Sequence, residues 1–186
     1  MDSTSPPKQQ DYYEPSSKPM AALDPELDVA VAAMADEGAR FVVIGGFAVI
    51  ANRFVRATED IDLLVPDSSE NDQRVLAALT KLSGVRLRDD APLRDEHLIG
   101  QAHLRARTDA GVVDILRGGL PPLDFDTVEQ HAIRADYGGV EFLLAGLSSI
   151  VGFKRLANRP RDRNDLIGLE EIHGELPVDP IPGLDS

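Results

Sequence analysis

FVVIGGFAVIANRFVRATEDIDLLV, residues Phe41–Val65, is the stretch on which the fold turns. Its first four residues, Phe41 to Ile44, are apolar and partly β-branched, the composition of a short buried strand. Gly45-Gly46 ends that strand, and Phe47 to Arg53 reads as a helix. Asp60 to Val65 reads as a second strand, closed by Pro66. Residues i and i+2 of a strand share a face, so Asp60 and Asp62 project together while Ile61 and Leu63 project into the core. Aspartate is a poor strand former, and two adjacent carboxylates repel each other. A divalent cation relieves both problems, and magnesium commonly takes one or two carboxylates plus substrate phosphates. The plain alternative is an exposed pair at a strand start that accepts loop N–H groups. An EF-hand calcium loop is disfavoured, because Leu63-Leu64-Val65 stand where that loop needs glycine and further oxygen ligands.

Working outward, Asp24 and Pro25 suit the N-cap and first turn of a helix over Pro25 to Gly38, with Leu27, Ala30, Val31 and Met34 at helical spacing. A second helix is predicted over Asn71 to Leu82. Val85 to Arg88 alternates like an edge strand. Ala102 to Thr108 alternates again, with Ala102, Leu104 and Ala106 on one face and His103, Arg105 and Arg107 on the other. The turn Asp109-Ala110-Gly111 leads into a strand over Val112 to Leu116, and so tight a connection implies an antiparallel pair. Val140 to Leu144 is a further short strand. Helices over Leu147 to Ala157 and Asp162 to His173 follow. The fold class expected is α/β, a mixed, partly antiparallel sheet flanked by helices. Residues 1–22, rich in Pro, Ser and Gln, are expected to be a disordered arm. In that arm Tyr12-Tyr13 is a partner element or simply two exposed tyrosines. Residues 23–176 form the domain, and residues 177–186 are an irregular tail.

Asp114 strengthens the carboxylate reading. It is flanked by Val112-Val113 and Ile115-Leu116, and a carboxylate in so apolar a strand is unfavourable unless paired, protonated or bound to metal. Arg105 or Arg107 of the preceding strand is a candidate partner. A third carboxylate beside a D-x-D pair is also what a two-metal phosphoryl or nucleotidyl transfer site requires, and Asp114 is placed to accept the proton of an attacking hydroxyl. The successive N–H groups of Gly45-Gly46 suit phosphate oxygens, although such a pair after a strand is often only a turn.

Bulk properties narrow the field. The 186-residue chain has no cysteine, which excludes disulfides, thiolate metal sites and cysteine nucleophiles. Its net charge of −13 argues against a broad non-specific nucleic-acid coat and leaves room for a local basic groove. No apolar run reaches bilayer length and no signal pattern opens the chain, so a cytoplasmic location without a membrane role is expected. His97, His103, His131 and His173 show no metal-ligand spacing and read as structural or exposed.

The segment Phe41–Val65 resembles the signature of the DNA-polymerase-beta-type nucleotidyltransferase superfamily: a glycine turn, a helix, D-x-D on a strand and a third Asp on a later strand. The form Arg56-x-Thr58-x-Asp60-Ile61-Asp62 is similar to two branches. One holds the AbiEii and Men-type toxins of bacterial toxin–antitoxin pairs, and the other holds small aminoglycoside and lincosamide nucleotidyltransferases. Many superfamily members have serine in place of Gly46. The resemblance implies magnesium on Asp60, Asp62 and Asp114, and a nucleoside triphosphate held at Gly45 and Gly46 with help from Arg56 and Thr58.

Toxin-like members carry a Lys, Arg and Asp segment like that from Lys154 to Asp165. The resemblance implies that Lys154, on an apolar helix face, reaches nucleotide phosphates or the active-site carboxylates, as an alternative to snorkelling to solvent. Arg155, Arg159, Arg161 and Arg163 are candidates for RNA or triphosphate contact, or form a solvated basic loop. Asp162 is read as the N-cap of the last helix, and Asp165 as a partner of Lys154 or an arginine. For the toxin-like branch the implied acceptor is the 3′ end of an RNA, a tRNA, with an antitoxin protein as partner. For the other branch it is a small hydroxylated or cationic antibiotic. A catalytically silent nucleotide-binding or protein-binding module is the third reading.

Overall fold

The computed structural model describes residues 25–185; the N-terminal arm and its two tyrosines lie outside the described residues. Helix α1 (Pro25–Asp36) buries Leu27, Ala30, Val31 and Met34, the positions its periodicity singles out. Strand β1 (Val42–Val43) is shorter than Phe41 to Ile44, yet all four residues are buried. Helix α2 (Gly45–Ala51) starts at the glycines themselves, two residues before the expected Phe47. Strand β2 (Asp60–Val65) has the bounds read from the sequence. Helix α3 (Ser69–Lys81) begins two residues before Asn71, because the Ser68 hydroxyl accepts the Asn71 N–H and caps it.

Strands β3 (Val85–Arg86), β4 (His103–Thr108) and β5 (Gly111–Arg117) follow, then a short helix α4 (Phe125–Gln130). Strands β6 (Ile133–Tyr137) and β7 (Val140–Leu144) precede helices α5 (Leu147–Ala157) and α6 (Pro160–His173). The strands form one mixed sheet of seven, in the order β3-β4-β5-β2-β1-β7-β6. Pairs β3–β4, β4–β5, β1–β2 and β6–β7 are antiparallel, whereas β2–β5 and β1–β7 are parallel. The α/β class and the mixed sheet are therefore as expected.

Two elements escape the periodicity argument. Helix α4 is only 6 residues long, so it shows barely one turn of pattern; Asp124 caps it by accepting the Thr127 N–H, and Phe125 and Val128 are buried. Strand β6 forms a hairpin with β7 whose turn is Gly138-Gly139, with φ of 62° and 86°. A Gly-Gly pair between alternating runs is the sequence signal for such a hairpin.

One face of β4, β5 and β2 is core, built from Leu104, Ala106, Val113, Ile115, Ile61 and Leu63. At the far end of β5, Arg117 joins the fully buried Asp72 of α3 at 2.8 Å and ties that helix to the sheet. The opposite face of the same strands carries the polar residues. Residues 177–185 form no helix or strand, and Arg155 of α5 holds them through the Asp179 carbonyl and Asp185. Among the described residues, no helix is long and apolar enough to cross a membrane.

Candidate active site

Parallel pairing of β2 with β5 sets Asp62 directly opposite Asp114 and Asp60 opposite Val112. Opposed residues share a face, so the third carboxylate projects beside the first two. The carboxylate oxygens of Asp60, Asp62 and Asp114 lie within 4.8 Å of one another, and all three residues are half-buried. Oxygen ligands at 2.0–2.1 Å from one magnesium ion span roughly 3 to 4 Å, so the cluster needs little adjustment to enclose a cation. Burial, then repulsion from Asp60 and Asp114, pushes the Asp62 carboxyl up to about 6, with Lys154 and the Gly46 N–H pulling the other way. Hard anionic donors that repel one another when empty are a donor set suited to a divalent cation.

The glycine turn closes tightly over this cluster. Gly45 has φ of +60°, and a Cβ built on it would fall 1.8 Å from Asp62 Oδ2. A Cβ on Gly46 would fall 2.3 Å from Thr58 Oγ1 and 2.9 Å from Arg56 Nη2. The space that a side chain on the second glycine would need is thus filled from behind by Thr58 and Arg56. Gly45→Ala is expected to destabilise the fold by about 1–2 kcal/mol through left-handed strain and to displace the Asp62 carboxylate. Magnesium titration by calorimetry checks this; unchanged affinity would show that the turn does not position Asp62.

Register also accounts for Arg105. It stands opposite Asp114 in the β4–β5 ladder, and its Nε donates to Asp114 Oδ1 at 2.6 Å while Nη2 lies 3.6 Å from Asp60. The alternative partner, Arg107, pairs with Asp90. Asp114 thus has both an ion pair and its place in the cluster.

Lys154 does not snorkel. It is 4% exposed, and its Nζ lies 2.9 Å from Asp162 and 2.7 Å from Asp165 rather than against Asp60, Asp62 or Asp114. Asp165 also forms an ion pair with Arg56, whose Nε lies 3.0 Å away, and Asp162 accepts Arg159 Nε at 2.7 Å. Burial would raise the Asp162 carboxyl, but Arg159 and Lys154 outweigh it and hold it at about 2. The expectation that Asp162 is the N-cap of the last helix is corrected: the cap is Arg159, and Asp162 at the third helical position accepts the Arg159 backbone N–H at 3.0 Å. The helix simply starts earlier, at Pro160, which suits a first position. One buried ionic network therefore binds α5 and α6 to Arg56, the residue behind the glycine turn.

Gly45, Gly46, Arg56, the three carboxylates and Lys154 all line one cavity of about 340 Å³. Thr58 stands just behind it. The cavity wall also includes Arg159 and Arg161, two of the arginines read as candidates for RNA or triphosphate contact, and His103 and Phe153, which the motif reading did not assign to the site. The alternation of β4 already put His103 and Arg105 on one face, and its tight turn already paired it with β5; what the sequence lacked was that β5 joins β2. His131 and His173 hydrogen-bond to backbone carbonyls, Thr127 O at 2.9 Å and Asn52 O at 2.7 Å.

A family model described as the nucleotidyl transferase AbiEii toxin of type IV toxin–antitoxin systems matches residues 29–164. No curated protein sequence matches the chain. Among solved structures, the chain is similar to ANT(2″)-Ia crystallised with adenylyl-2″-tobramycin, at a TM-score of 0.55 and 15% identity, covering 80% of this chain and 87% of that one. It is also similar to the solution structure of the antibiotic-resistance factor ANT(2″)-Ia, at 0.57 and 14% identity, covering 81% and 83%. At such identities the likeness is one of fold.

Proposed function

Because the chain belongs to the AbiEii family of nucleotidyltransferase toxins, we propose that it moves a nucleoside monophosphate from a nucleoside triphosphate to the 3′-terminal hydroxyl of a tRNA. In this reading residues 23–176 are the transferase domain, magnesium is the cofactor, a cognate antitoxin protein is the restraint, and the cytoplasm is the setting. The observation that carries it is the convergence of Asp60, Asp62 and Asp114 from two strands in register.

Asp60, Asp62 and Asp114 hold the cation. When bound, magnesium supplies Lewis-acid stabilisation of the charge that develops on the transferred phosphoryl group. Gly45 and Gly46 form the turn that receives the triphosphate, with the Gly46 N–H shared with the Asp62 carboxylate, and Arg56 and Thr58 fix the turn from behind. Asp114 Oδ1 is engaged by Arg105, which leaves Oδ2 to accept the proton of the acceptor hydroxyl. The acceptor oxygen bonds to the α-phosphorus, the bond from that phosphorus to its bridging oxygen breaks, and pyrophosphate leaves with the electron pair. Lys154 acts as a positioning residue through Asp162, Asp165 and Arg56.

The test incubates the protein with magnesium, each α-labelled nucleoside triphosphate in turn and total tRNA, with Asp60→Ala as control. Label on tRNA with the wild type alone is the expected result. Label on an added aminoglycoside and none on tRNA would overturn the acceptor class. That second reading draws on the net charge of −13, which attracts cations.

A pH dependence accompanies the site. Asp62 must lose its proton to bind metal, and its carboxyl titrates at about 6. Magnesium affinity is expected to hold above pH 6 and to fall about tenfold per unit below it. Calorimetric titrations at pH 5 and 7 decide this, and equal affinities would contradict it.

A further inference from the structure

The structure holds a second groove, of about 590 Å³, beside the carboxylate cavity. Its wall includes Arg86, Arg88, Glu96, Gln101, His103 and Arg105. His103 and Arg105 also line the carboxylate cavity, so the two spaces meet at those side chains. Three arginines stand in its wall against one carboxylate, Glu96. Arg86 is engaged by Asp89 and Arg105 by Asp114. Arg88 is exposed, and among the described residues no carboxylate comes within ion-pair distance of it.

Strand order decides what this groove faces. The carboxylates stand on β2 and β5. On one side of them is β1, which leads into the Gly45-Gly46 turn; on the other are β4 and β3 with the groove. In-line displacement at phosphorus requires the attacking oxygen and the leaving pyrophosphate on opposite sides. With the triphosphate tail at the glycine turn, the acceptor must approach from the β4 side.

We propose that the groove along β3 and β4 is the acceptor subsite and that it takes the phosphate backbone of a single-stranded RNA 3′ end, with Arg88 as a phosphate contact and His103 and Arg105 at the junction with the metal cluster. This rests on the nucleotidyl-transfer reading above. Arg88 supplies charge with no carboxylate among the described residues in direct ion-pair contact, and Gln101 supplies both a donor and an acceptor for sugar or base edges.

The test is fluorescence anisotropy of a labelled short single-stranded RNA with a free 3′-hydroxyl, using the full chain and magnesium. Wild type is compared with Arg88→Glu and with Arg134→Glu, an equal charge change on exposed β6 at the other edge of the sheet. Arg88→Glu is expected to weaken RNA binding about tenfold, the scale of one charge-assisted hydrogen bond, and to flatten the log–log salt slope by about 0.7. Arg134→Glu is expected to bind as wild type does, and a nonhydrolysable triphosphate to bind all three alike. Equal RNA affinity for the two variants would overturn the groove, as would wild type that does not bind RNA at all. The labelling experiment separates this from the wider reading: tRNA labelled by wild type and by Arg88→Glu with the same acceptor KM leaves the transferase standing and removes the groove.

Discussion

Asp62→Asn is expected to abolish nucleotidyl transfer while making the metal-free protein more stable at pH 7. The activity follows from the cluster: loss of one anionic ligand removes several kcal/mol of charge stabilisation at the transferred phosphoryl group, a fall of roughly a thousandfold or more. The stability follows from titration. Asp62 has a carboxyl raised from 3.8 to about 6, so the folded state holds its proton more tightly than the unfolded state does. Ionised Asp62 is therefore a burden on the fold at pH 7, on the order of 2–3 kcal/mol. The burden is absent below about pH 4, grows between pH 4 and 6, and is complete above. Asparagine keeps an oxygen to accept the Gly46 N–H and carries no charge. The variant should melt about 4–8 °C higher at pH 7 without magnesium, and the gap should close near pH 4. Magnesium should raise the wild-type Tm and leave the variant unmoved. A variant less stable than wild type at pH 7 would mean that Asp62 is a structural carboxylate rather than a ligand awaiting its cation.

That trade marks where the sequence was informative. Strand β2 was legible to the residue, because D-I-D-L-L-V alternates and ends at Pro66, and local pattern alone demands that Asp60 and Asp62 share a face. Asp114 was legible as an anomaly, a carboxylate in an apolar strand. Its position opposite Asp62 was not, because that depends on β5 joining β2 in parallel, a pairing between segments far apart in the chain. The same non-local pairing brings His103 and Arg105 to the site. Short elements were lost for a different reason: α4 offers too few turns for a period to show. Asp162 was misplaced by three positions, read as the N-cap when it is the third helical residue, since an aspartate at either position serves a backbone N–H of the first turn.

Lys154→Met is expected to produce the largest loss of stability, and a loss of activity that is secondary to it. The methionine fits the apolar wall but leaves the buried carboxylates of Asp162 and Asp165 without their shared ammonium. Breaking a buried pair by removing one partner typically costs 3–5 kcal/mol, which in a chain of this size lowers Tm by about 10 °C. Asp162 has a folded carboxyl held at about 2, below its ordinary 3.8, so its contribution is complete above about pH 4 and is lost as pH falls toward 2. The gap between wild type and variant should accordingly narrow in acid, and widen as pH rises through 6, where Asp62 ionises without Lys154 to offset it. Lys154 charge also lowers the Asp62 carboxyl. Its removal should move the onset of magnesium loss to higher pH, a shift that disordered packing alone would not produce. Lys154→Met with Asp165→Asn should recover part of the stability by removing the stranded charge, but not the magnesium profile. If the double variant instead regained the wild-type profile, Lys154 would act on Asp62 only through the packing of α5 and α6. If the single variant kept its stability and lost activity outright, Lys154 would be a substrate contact in its own right.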